Sequence, residues 1–240
     1  MGGGSNEQQN QESDPTRGIN AMSNAIYFKG DCDKAFESSK TKNEMFHVFK
    51  SESVMVEMMN MDKKNWIAGE SQKLDCKMLE LPYKGKELSM LFILPNKDDG
   101  LSKLESNLSA EHFQELTNAM HTQKVIVSIP KFKLESSFQL ATVLAGMGID
   151  DIFSGKADFS AMLKNPPDGT HVSDVIHKAF VEVNEEGTEA AAATAVMMAY
   201  CALRMDLPMV FRADHPFLFL IREISTGSIL FIGRHLKPSS

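Results

Sequence analysis

The sequence has little of the chemistry on which most enzymes and metalloproteins depend. Three cysteines, Cys32, Cys76 and Cys201, are too few and too irregularly spaced for a disulfide framework, and they favour a reducing compartment or free thiols. Seven histidines are scattered, without the short-spaced cysteine or aspartate partners that a zinc site needs. No nucleophile elbow, Walker A loop, dinucleotide-binding glycine motif or H-E-x-x-H helix occurs. We therefore expect no catalytic residue, no metal and no cofactor.

The sequence also lacks a long apolar run and a strong excess of positive charge. No stretch reaches membrane-spanning length, and no signal peptide precedes the globular part. We expect a cytoplasmic protein, with leaderless release into the extracellular space as a second location. The formal net charge is −7 and no cluster of lysines and arginines occurs, which argues against a nucleic-acid or other polyanion partner.

What is present suits a folded α+β protein. Hydrophobic residues make up 42% of 240 residues, which is enough for a sizeable core in one or two domains. Residues 1–13 stand apart, because they contain no large apolar side chain after Met1, and we predict that this tail is disordered. In the rest of the chain, strand-like and helix-like segments interleave without an internal repeat, which predicts an α+β fold.

Runs of β-branched and aromatic residues predict the strands, and apolar residues at helical spacing predict the helices. The predicted strands are residues 20–28, 46–49, 54–56, 66–68, 74–83, 88–95, 125–127, 130–134, 175–183, 217–221 and 228–232. The predicted helices are residues 101–108, residues 110–120 with Ser109 as N-cap, and residues 138–147, which Gly148 ends. Turns at Lys84-Gly85 and at Ser225-Thr226-Gly227 predict two hairpins.

Two groups of residues invite a metal or catalytic interpretation and have a simpler one. Methionines lie close together at positions 55, 58, 59 and 61, which suggests a soft-metal site, but methionine is far more often an adaptable packing residue. His177 lies in the middle of a predicted strand and His215 precedes Pro216. We predict that the methionines pack in the core and that both histidines are structural.

Residues 184–195 form a run of small side chains between two predicted strands. Alanine favours a helix, but a buried helix shows a large apolar residue at every third or fourth position, and this run has none. The other interpretation is a mobile segment that can become a strand, because side chains alternate across a strand and one face would then be small and uncharged. That face would consist of Thr188, Ala190, Ala192 and Thr194.

This run resembles the proximal hinge of an inhibitory serpin. Glu185-Glu186-Gly187-Thr188-Glu189 is followed by four alanines, Thr194 and Ala195. Further matching stretches, in the same order as in that family, are residues 24–30, 79–83, 88–95 and 211–219 and the pair Gly233-Arg234. The resemblance covers roughly residues 14–238 and is strongest to the leaderless, ovalbumin-like branch (clade B) of the family.

The resemblance implies an N-terminally truncated serpin fold, with a large mixed sheet, a second sheet or barrel, and helices. Residues 14–240 would form one partial domain, with a reactive-centre loop at about residues 185–208. The family's helices and first two strands, which precede the strand at residues 20–28, would be missing. Asn24 and His177 match the polar pair of the family's shutter region. Cys32 stands where the family usually has tryptophan, which removes an aromatic plug.

The resemblance also implies a function. The chain would inhibit serine proteases, and by extension cysteine proteases, as a suicide substrate. A protease would cleave the loop, and the freed hinge would insert between the strands at residues 20–28 and 175–184. The alternative is a non-inhibitory remnant that is cut as an ordinary substrate, and a third possibility is a binding or storage role. We expect a monomer with a risk of aggregation, because the strands at residues 217–221 and 229–232 would be left exposed.

The loop length of the family, counted from Glu185, places the scissile bond between Cys201 and Ala202. A medium-sized apolar cysteine suits an elastase-like protease. A shift by one residue would present Tyr200 to a chymotrypsin-like protease, and Arg204 would suit a trypsin-like one. The predicted hinge consists of Glu185, Glu186, Gly187, Thr188, Glu189, Ala190, Ala191, Ala192, Ala193, Thr194 and Ala195.

Overall fold

A computed structural model describes residues 21–49, 52–186 and 207–238 of the chain. The chain divides into two compact units. The first unit comprises the described part of Met1–Phe28 together with Leu134–Val181. The second unit comprises Lys29–Lys133 and the described part of Glu182–Ser240.

The elements follow the predicted order of strands and helices, except that a strand at Met209–Arg212 was not predicted. They are β1 (Met22–Lys29), β2 (Lys42–Phe49), β3 (Glu52–Ser71), β4 (Cys76–Pro82), β5 (Leu88–Pro95), α1 (Leu101–Asn107), α2 (Ala110–Ala119), β6 (His121–Pro130), β7 (Phe132–Gln139), α3 (Ala141–Gly146), β8 (Val175–Val183), β9 (Met209–Arg212), β10 (Phe217–Glu223) and β11 (Ile229–His235), with short 3₁₀ turns at Ser38–Lys40 and Asp151–Phe153. In the part of the chain that the structure describes, no helix is long and apolar enough to cross a membrane.

The second unit is built on an eight-stranded sheet in the order β11-β10-β5-β4-β3-β6-β9, with β2 also paired to β3. The pairing of β6 with β9 is parallel, whereas the pairs of β5 with β4 and β10 are antiparallel. Strand β5 is buried at seven of its eight positions, since it lies between two other strands and is apolar on both faces. Both predicted hairpins form, with Gly85 and Gly227 at positive φ in the turns.

The helices of the second unit pack on this sheet through the residues that their periodicity indicated. Leu101 and Leu104 of α1 and Leu116 of α2 join a buried cluster with Met78 and Ile93. Ser109 caps α2 as predicted, because its side-chain oxygen accepts a hydrogen bond from the His112 backbone N–H.

Two predicted elements differ from the structure. Residues 54–56 and 66–68 were expected as separate strands, but they belong to the single 20-residue strand β3. The polar residues between them fall at an irregularity between Met61 and Lys64, where a bulge takes up extra residues without ending the strand. The helix expected at residues 138–147 begins at Ala141, because Phe138 is part of β7, which pairs with β8.

The expectation of exposed apolar strands holds for one strand and is wrong for the other. The five residues 217–221 of β10 are buried, with exposed fractions of 5% or less, because β10 lies between β5 and β11. Strand β11 forms the edge of the sheet, and Leu230 and Ile232 are 50% and 65% exposed there. Because the two strands are similarly apolar, the difference in exposure follows from their positions, β10 inside the sheet and β11 at its edge.

The first unit contains a three-stranded sheet in the order β1-β8-β7. Its central strand β8 is half-buried, whereas β1 is exposed at seven of its eight positions. Tyr27 of β1 stacks on Phe180 of β8, with ring centroids 4.7 Å apart. Among the described residues of this unit, Phe159, Thr170, Val172 and Val181 are the buried ones.

Candidate functional site

The candidate site begins where β8 ends, at the foot of the predicted loop. Glu185 is the better-anchored of the two glutamates there, with 15% of its side chain exposed. Its Oε1 accepts a hydrogen bond from the Thr41 hydroxyl at 2.9 Å, and its Oε2 lies 3.1 Å from Lys131 Nζ. Partial burial alone would raise the pKa of Glu185, but hydrogen bonds from the backbone, Thr41 and Lys131 outweigh burial and lower it. The carboxylate is therefore held ionised.

Glu186 is tied to the last residue of β1 and to the chain just after it. Its carboxylate lies 2.8 Å from Lys29 Nζ, and its carbonyl oxygen accepts a hydrogen bond from the Cys32 N–H at 3.3 Å. Its own N–H donates to the Asn184 side-chain oxygen at 3.0 Å. The hydrogen bond to Lys29 is the main reason that the pKa of Glu186 is lowered. The two glutamates thus attach the foot of the loop to three separate segments of the second unit.

An open cleft lies beside this foot. Carboxylates predominate along it, with Lys131 as the cation. The cleft is lined by Asp31, Ala35, Phe36, Ser38, Lys131, Glu182, Asn184, Glu185 and Glu186. Among the described residues that line it, no nucleophile is paired with a base.

Cys32 adjoins a small cavity next to the same foot. The cavity has a volume of about 10 Å³, which is room for one water molecule, and is lined in part by Phe36, Tyr83 and Phe92. Burial, with a smaller contribution from Asp31, raises the pKa of the Cys32 thiol to about 11. At neutral pH the thiol is therefore protonated and a poor nucleophile.

The chain is anchored again at the far end of the loop. Arg212, at the end of β9, lies with Nη2 2.5 Å from Glu44 and with Nε 2.8 Å from Asp214. Glu44 lies on β2, and Thr41 precedes the same strand. Residues 41–44 therefore contact both ends of the segment that lies outside the described residues.

His215 has the structural role that the sequence predicted. It is 6% exposed; its Nε2 donates to the Pro95 carbonyl oxygen at 2.8 Å, and its Nδ1 lies 3.0 Å from the Asp214 carboxylate. Burial alone would lower the pKa of His215, but the hydrogen bonds to Asp214 and Pro95 outweigh burial and raise it.

The two residues of the predicted shutter lie on neighbouring strands of the first unit. Asn24 is exposed on β1, and His177 is half-buried on β8. The His177 ring stacks on Phe138, with centroids 6.4 Å apart and planes inclined by 23°. Within the described ranges no side-chain hydrogen bond joins Asn24 to His177.

Most of the predicted reactive loop lies outside the described residues. This applies to the hinge from Gly187 to Ala195 and to Tyr200, Cys201, Ala202 and Arg204. The sequence analysis missed the residues that hold the two ends of the loop, namely Lys29, Thr41, Glu44, Lys131 and Arg212. Thr41 and Glu185 are 144 positions apart in the chain, and no local pattern signals a contact of that separation.

Comparison with known proteins matches the whole of the described chain. The family description "Serpin (serine protease inhibitor)" matches residues 13–238. Leukocyte elastase inhibitor from Xenopus laevis is 48% identical over 223 residues, which are 90% of this chain and 57% of that protein. Leukocyte elastase inhibitor from Homo sapiens is 46% identical over 222 residues, with the same shares covered. The chain thus spans little more than half the length of the curated relatives it matches.

Solved structures show the same relationship. The structure of uncleaved ovalbumin superposes with a TM-score of 0.80 and 35% identity over 91% of this chain and 54% of that chain. A structure of maspin superposes with a TM-score of 0.78 and 34% identity over 91% of this chain and 57% of that chain. With the run of small residues after Glu185-Glu186 and the family match over residues 13–238, the chain belongs to the serpin family of serine protease inhibitors.

Proposed function

We propose that the chain inhibits serine proteases as a suicide substrate. The observation that carries this proposal is the foot of the loop. Glu185 and Glu186 are held by ion pairs to Lys131 and Lys29, directly before a run of small residues that could enter a sheet. The names of the relatives, leukocyte elastase inhibitor among them, support inhibition as the activity and a protease as the partner.

The chemical step is carried out by the target protease. Its nucleophile attacks the carbonyl carbon of Cys201, the peptide bond to Ala202 breaks, and the new amino group of Ala202 takes up a proton and leaves. The carbonyl carbon of Cys201 then stays bonded to the protease as an acyl-enzyme. Anything that distorts the protease before water hydrolyses this ester traps the complex.

Insertion of the freed hinge is the proposed source of that distortion. Strands β1 and β8 are hydrogen-bonded neighbours in the three-stranded sheet. A new strand between them would replace the hydrogen bonds that join β1 to β8 with two sets, one to each strand. This gain in backbone hydrogen bonds drives known switches that insert a strand. The exposed face of β1 leaves few packed contacts to break on that strand. Small side chains on one face of the hinge would enter without burying bulk or charge.

The class of target follows from the residue before the scissile bond. Cys201 suits the pocket of an elastase-like protease, and a bond one residue earlier would present Tyr200 to a chymotrypsin-like protease. Arg204 would direct the loop to trypsin-like enzymes. Cysteine proteases that accept the same side chains form a further class of target.

The test is incubation of the chain with elastase, chymotrypsin and trypsin, followed by a denaturing gel and mass spectrometry of the fragments. Inhibition gives a band at the mass of the protease plus the chain up to the scissile bond, and the mass of the released C-terminal peptide identifies the bond. Two fragments together with a fully active protease would overturn the proposal and leave a chain that is cut as an ordinary substrate.

A matched pair of variants tests insertion separately from cleavage. Ala192→Glu places a carboxylate on the face that would be buried, whereas Ala193→Glu places it on the opposite face. We expect Ala192→Glu to be cleaved without forming the complex and Ala193→Glu to form it. Equal behaviour of the two variants would contradict insertion as an alternating strand.

A further inference from the structure

Two methionines and a histidine share the solvent-facing side of the β2–β3 pair. Met45 of β2 lies directly opposite Met55 of β3 in the antiparallel register. Their side chains are 46% and 59% exposed. His47 is two residues from Met45 and therefore on the same face, where it lies opposite Ser53. We call Met45, His47 and Met55 the methionine–histidine cluster.

Packing explains the neighbouring methionines and leaves this pair unexplained. Met58, Met59 and Met61 of the same strand are 0%, 0% and 4% exposed, which confirms the prediction that they fill the core. Met55 was grouped with them on the basis of sequence spacing, but its side chain is 59% exposed. Two exposed thioethers directly opposite each other contribute little to a hydrophobic core.

The spacing allows all three side chains to reach one point. Side chains directly opposite in an antiparallel pair have Cβ atoms about 5 Å apart, and diagonal neighbours are about 7–8 Å apart. Methionine has three rotatable bonds and is free to turn at these exposures. The sulfur atoms of Met45 and Met55 and the imidazole of His47 can therefore converge without any movement of the backbone.

One ring nitrogen of His47 has a hydrogen-bond partner on β3. Its Nδ1 lies 3.0 Å from the Ser53 hydroxyl oxygen. With the Nδ1 hydrogen donated to that oxygen, Nε2 carries the free lone pair. Histidines that bind metals are commonly held in this way, since a hydrogen bond at one ring nitrogen sets the direction of the other.

We propose that the methionine–histidine cluster binds a monovalent soft metal ion, Cu(I), on the surface of the second unit. Two thioethers and one imidazole form a neutral, soft donor set, which favours Cu(I) over hard cations such as Mg²⁺ and Ca²⁺. Binding involves no change in oxidation state. The site departs from two expectations of the sequence, namely that there is no metal and that Met55 packs in the core.

The test uses Ag(I), a redox-inert ion with the same ligand preference, and the chain with its methionine methyl groups labelled with ¹³C. Cys201→Ser removes the cysteine that lies outside the described residues. Cys32→Ala and Cys76→Ala remove the two cysteines within the described residues, because thiols bind soft metal ions more tightly than thioethers do. Titration should shift two of the 16 methionine methyl signals together, and Met45→Leu and Met55→Leu identify them.

The affinity measurements decide the proposal. Met45→Leu, Met55→Leu and His47→Gln should each weaken Ag(I) binding by about tenfold or more. Met147→Leu and Met162→Leu are the matched controls, because these methionines are 73% and 70% exposed and lie in the first unit. Equal effects of the two sets, or shifts spread over all exposed methionines, would overturn the site. Unchanged far-ultraviolet circular dichroism confirms that each variant is folded.

Discussion

The two units of this chain are both built on β-sheets, but they bury very different numbers of side chains. The second unit surrounds β5 and β10 with other strands and helices, and Phe92, Ile93 and Phe217 are at most 1% exposed there. In the first unit β1 is exposed along nearly its whole length, and Tyr27 is 63% exposed. Few buried contacts mean a low free energy of local opening. The sheet proposed to receive the hinge is therefore the one that packing holds least tightly.

The largest expected effect tests this comparison directly. Phe217→Ala should lower the free energy of unfolding of the second unit by about 3–5 kcal/mol, because it leaves a cavity among Phe92, Phe132 and His235. Urea unfolding followed by the fluorescence of Trp66, the single tryptophan, reports on that unit.

Tyr27→Ala is the matched change in the first unit. It removes an exposed ring that stacks on Phe180, so its effect should be about 1 kcal/mol or less, measured by circular dichroism. If Tyr27→Ala lowered the free energy of unfolding as much as Phe217→Ala, the difference in side-chain burial between the units would not produce a difference in stability.

The next effect concerns pH and the core of the second unit. His235 is 1% exposed among Phe46, Phe132 and Phe217, and neither of its ring nitrogens has a hydrogen-bond partner among the described residues. Burial lowers the pKa of His235 to about 4. The ordinary pKa of histidine is about 6.5, so below that pH the unfolded chain takes up a proton that the folded chain does not. The free energy of unfolding is therefore highest above pH 6.5 and falls by roughly 3 kcal/mol as the pH falls towards 4.

Urea unfolding at a series of pH values from 7 to 4 measures this loss, and His235→Leu should flatten the curve. The pH dependence that His215 contributes to stability has the opposite sign to that of His235, because the pKa of His215 is raised. Its contribution is present at low pH and is lost as the pH rises through the pKa of the folded state. A curve for His235→Leu that matched the original chain would show that His235 is not the group responsible.

A smaller effect contrasts two glycines, one in each unit. A Cβ atom at Gly233 would meet the Phe219 ring, with Cε1 2.7 Å away. Gly233→Ala should therefore destabilise the second unit by about 1–3 kcal/mol, measured by urea unfolding. Gly146, at the end of α3 in the first unit, has open space around the same position. Gly146→Ala should be neutral or slightly stabilising. If it lowered the free energy of unfolding as much as Gly233→Ala, the close contact with Phe219 would not be the cause of the effect at Gly233.

The smallest expected effect lies at the foot of the loop. Glu185→Gln keeps an acceptor for Thr41 but removes the ion pair with Lys131, and it should lower the stability of the second unit by about 1 kcal/mol or less. Since the pKa of Glu185 is lowered, this contribution is present at neutral pH and is lost as the pH falls. Thermal melting of the original chain and of Glu185→Gln at pH 7 and pH 4 measures the loss of stability and its pH dependence. A difference in melting temperature that was larger at pH 4 than at pH 7 would contradict the expected pH dependence.

Much of the fold could be predicted from the sequence because its signals are local. The β-branched and aromatic residues of the segment 175–183, the serine before α2 and the glycines of the two hairpins each act on their own neighbourhood. The errors have the same origin. The polar residues before Trp66 looked like a turn, and only pairing with β6 shows that they form a bulge. Phe138 looked helical until β8 was placed beside it.

The candidate site divides in the same way. The sequence by itself determined the run of small residues that is proposed as the hinge, the family and most of the order of strands and helices, since a run of small residues and a set of apolar periods are properties of consecutive positions. Only the tertiary structure decided which apolar strand was buried, which residues hold Glu185 and Glu186, and that Met45 faces Met55. These depend on contacts between distant segments, and the free energy of such a contact appears only when both partners are in place.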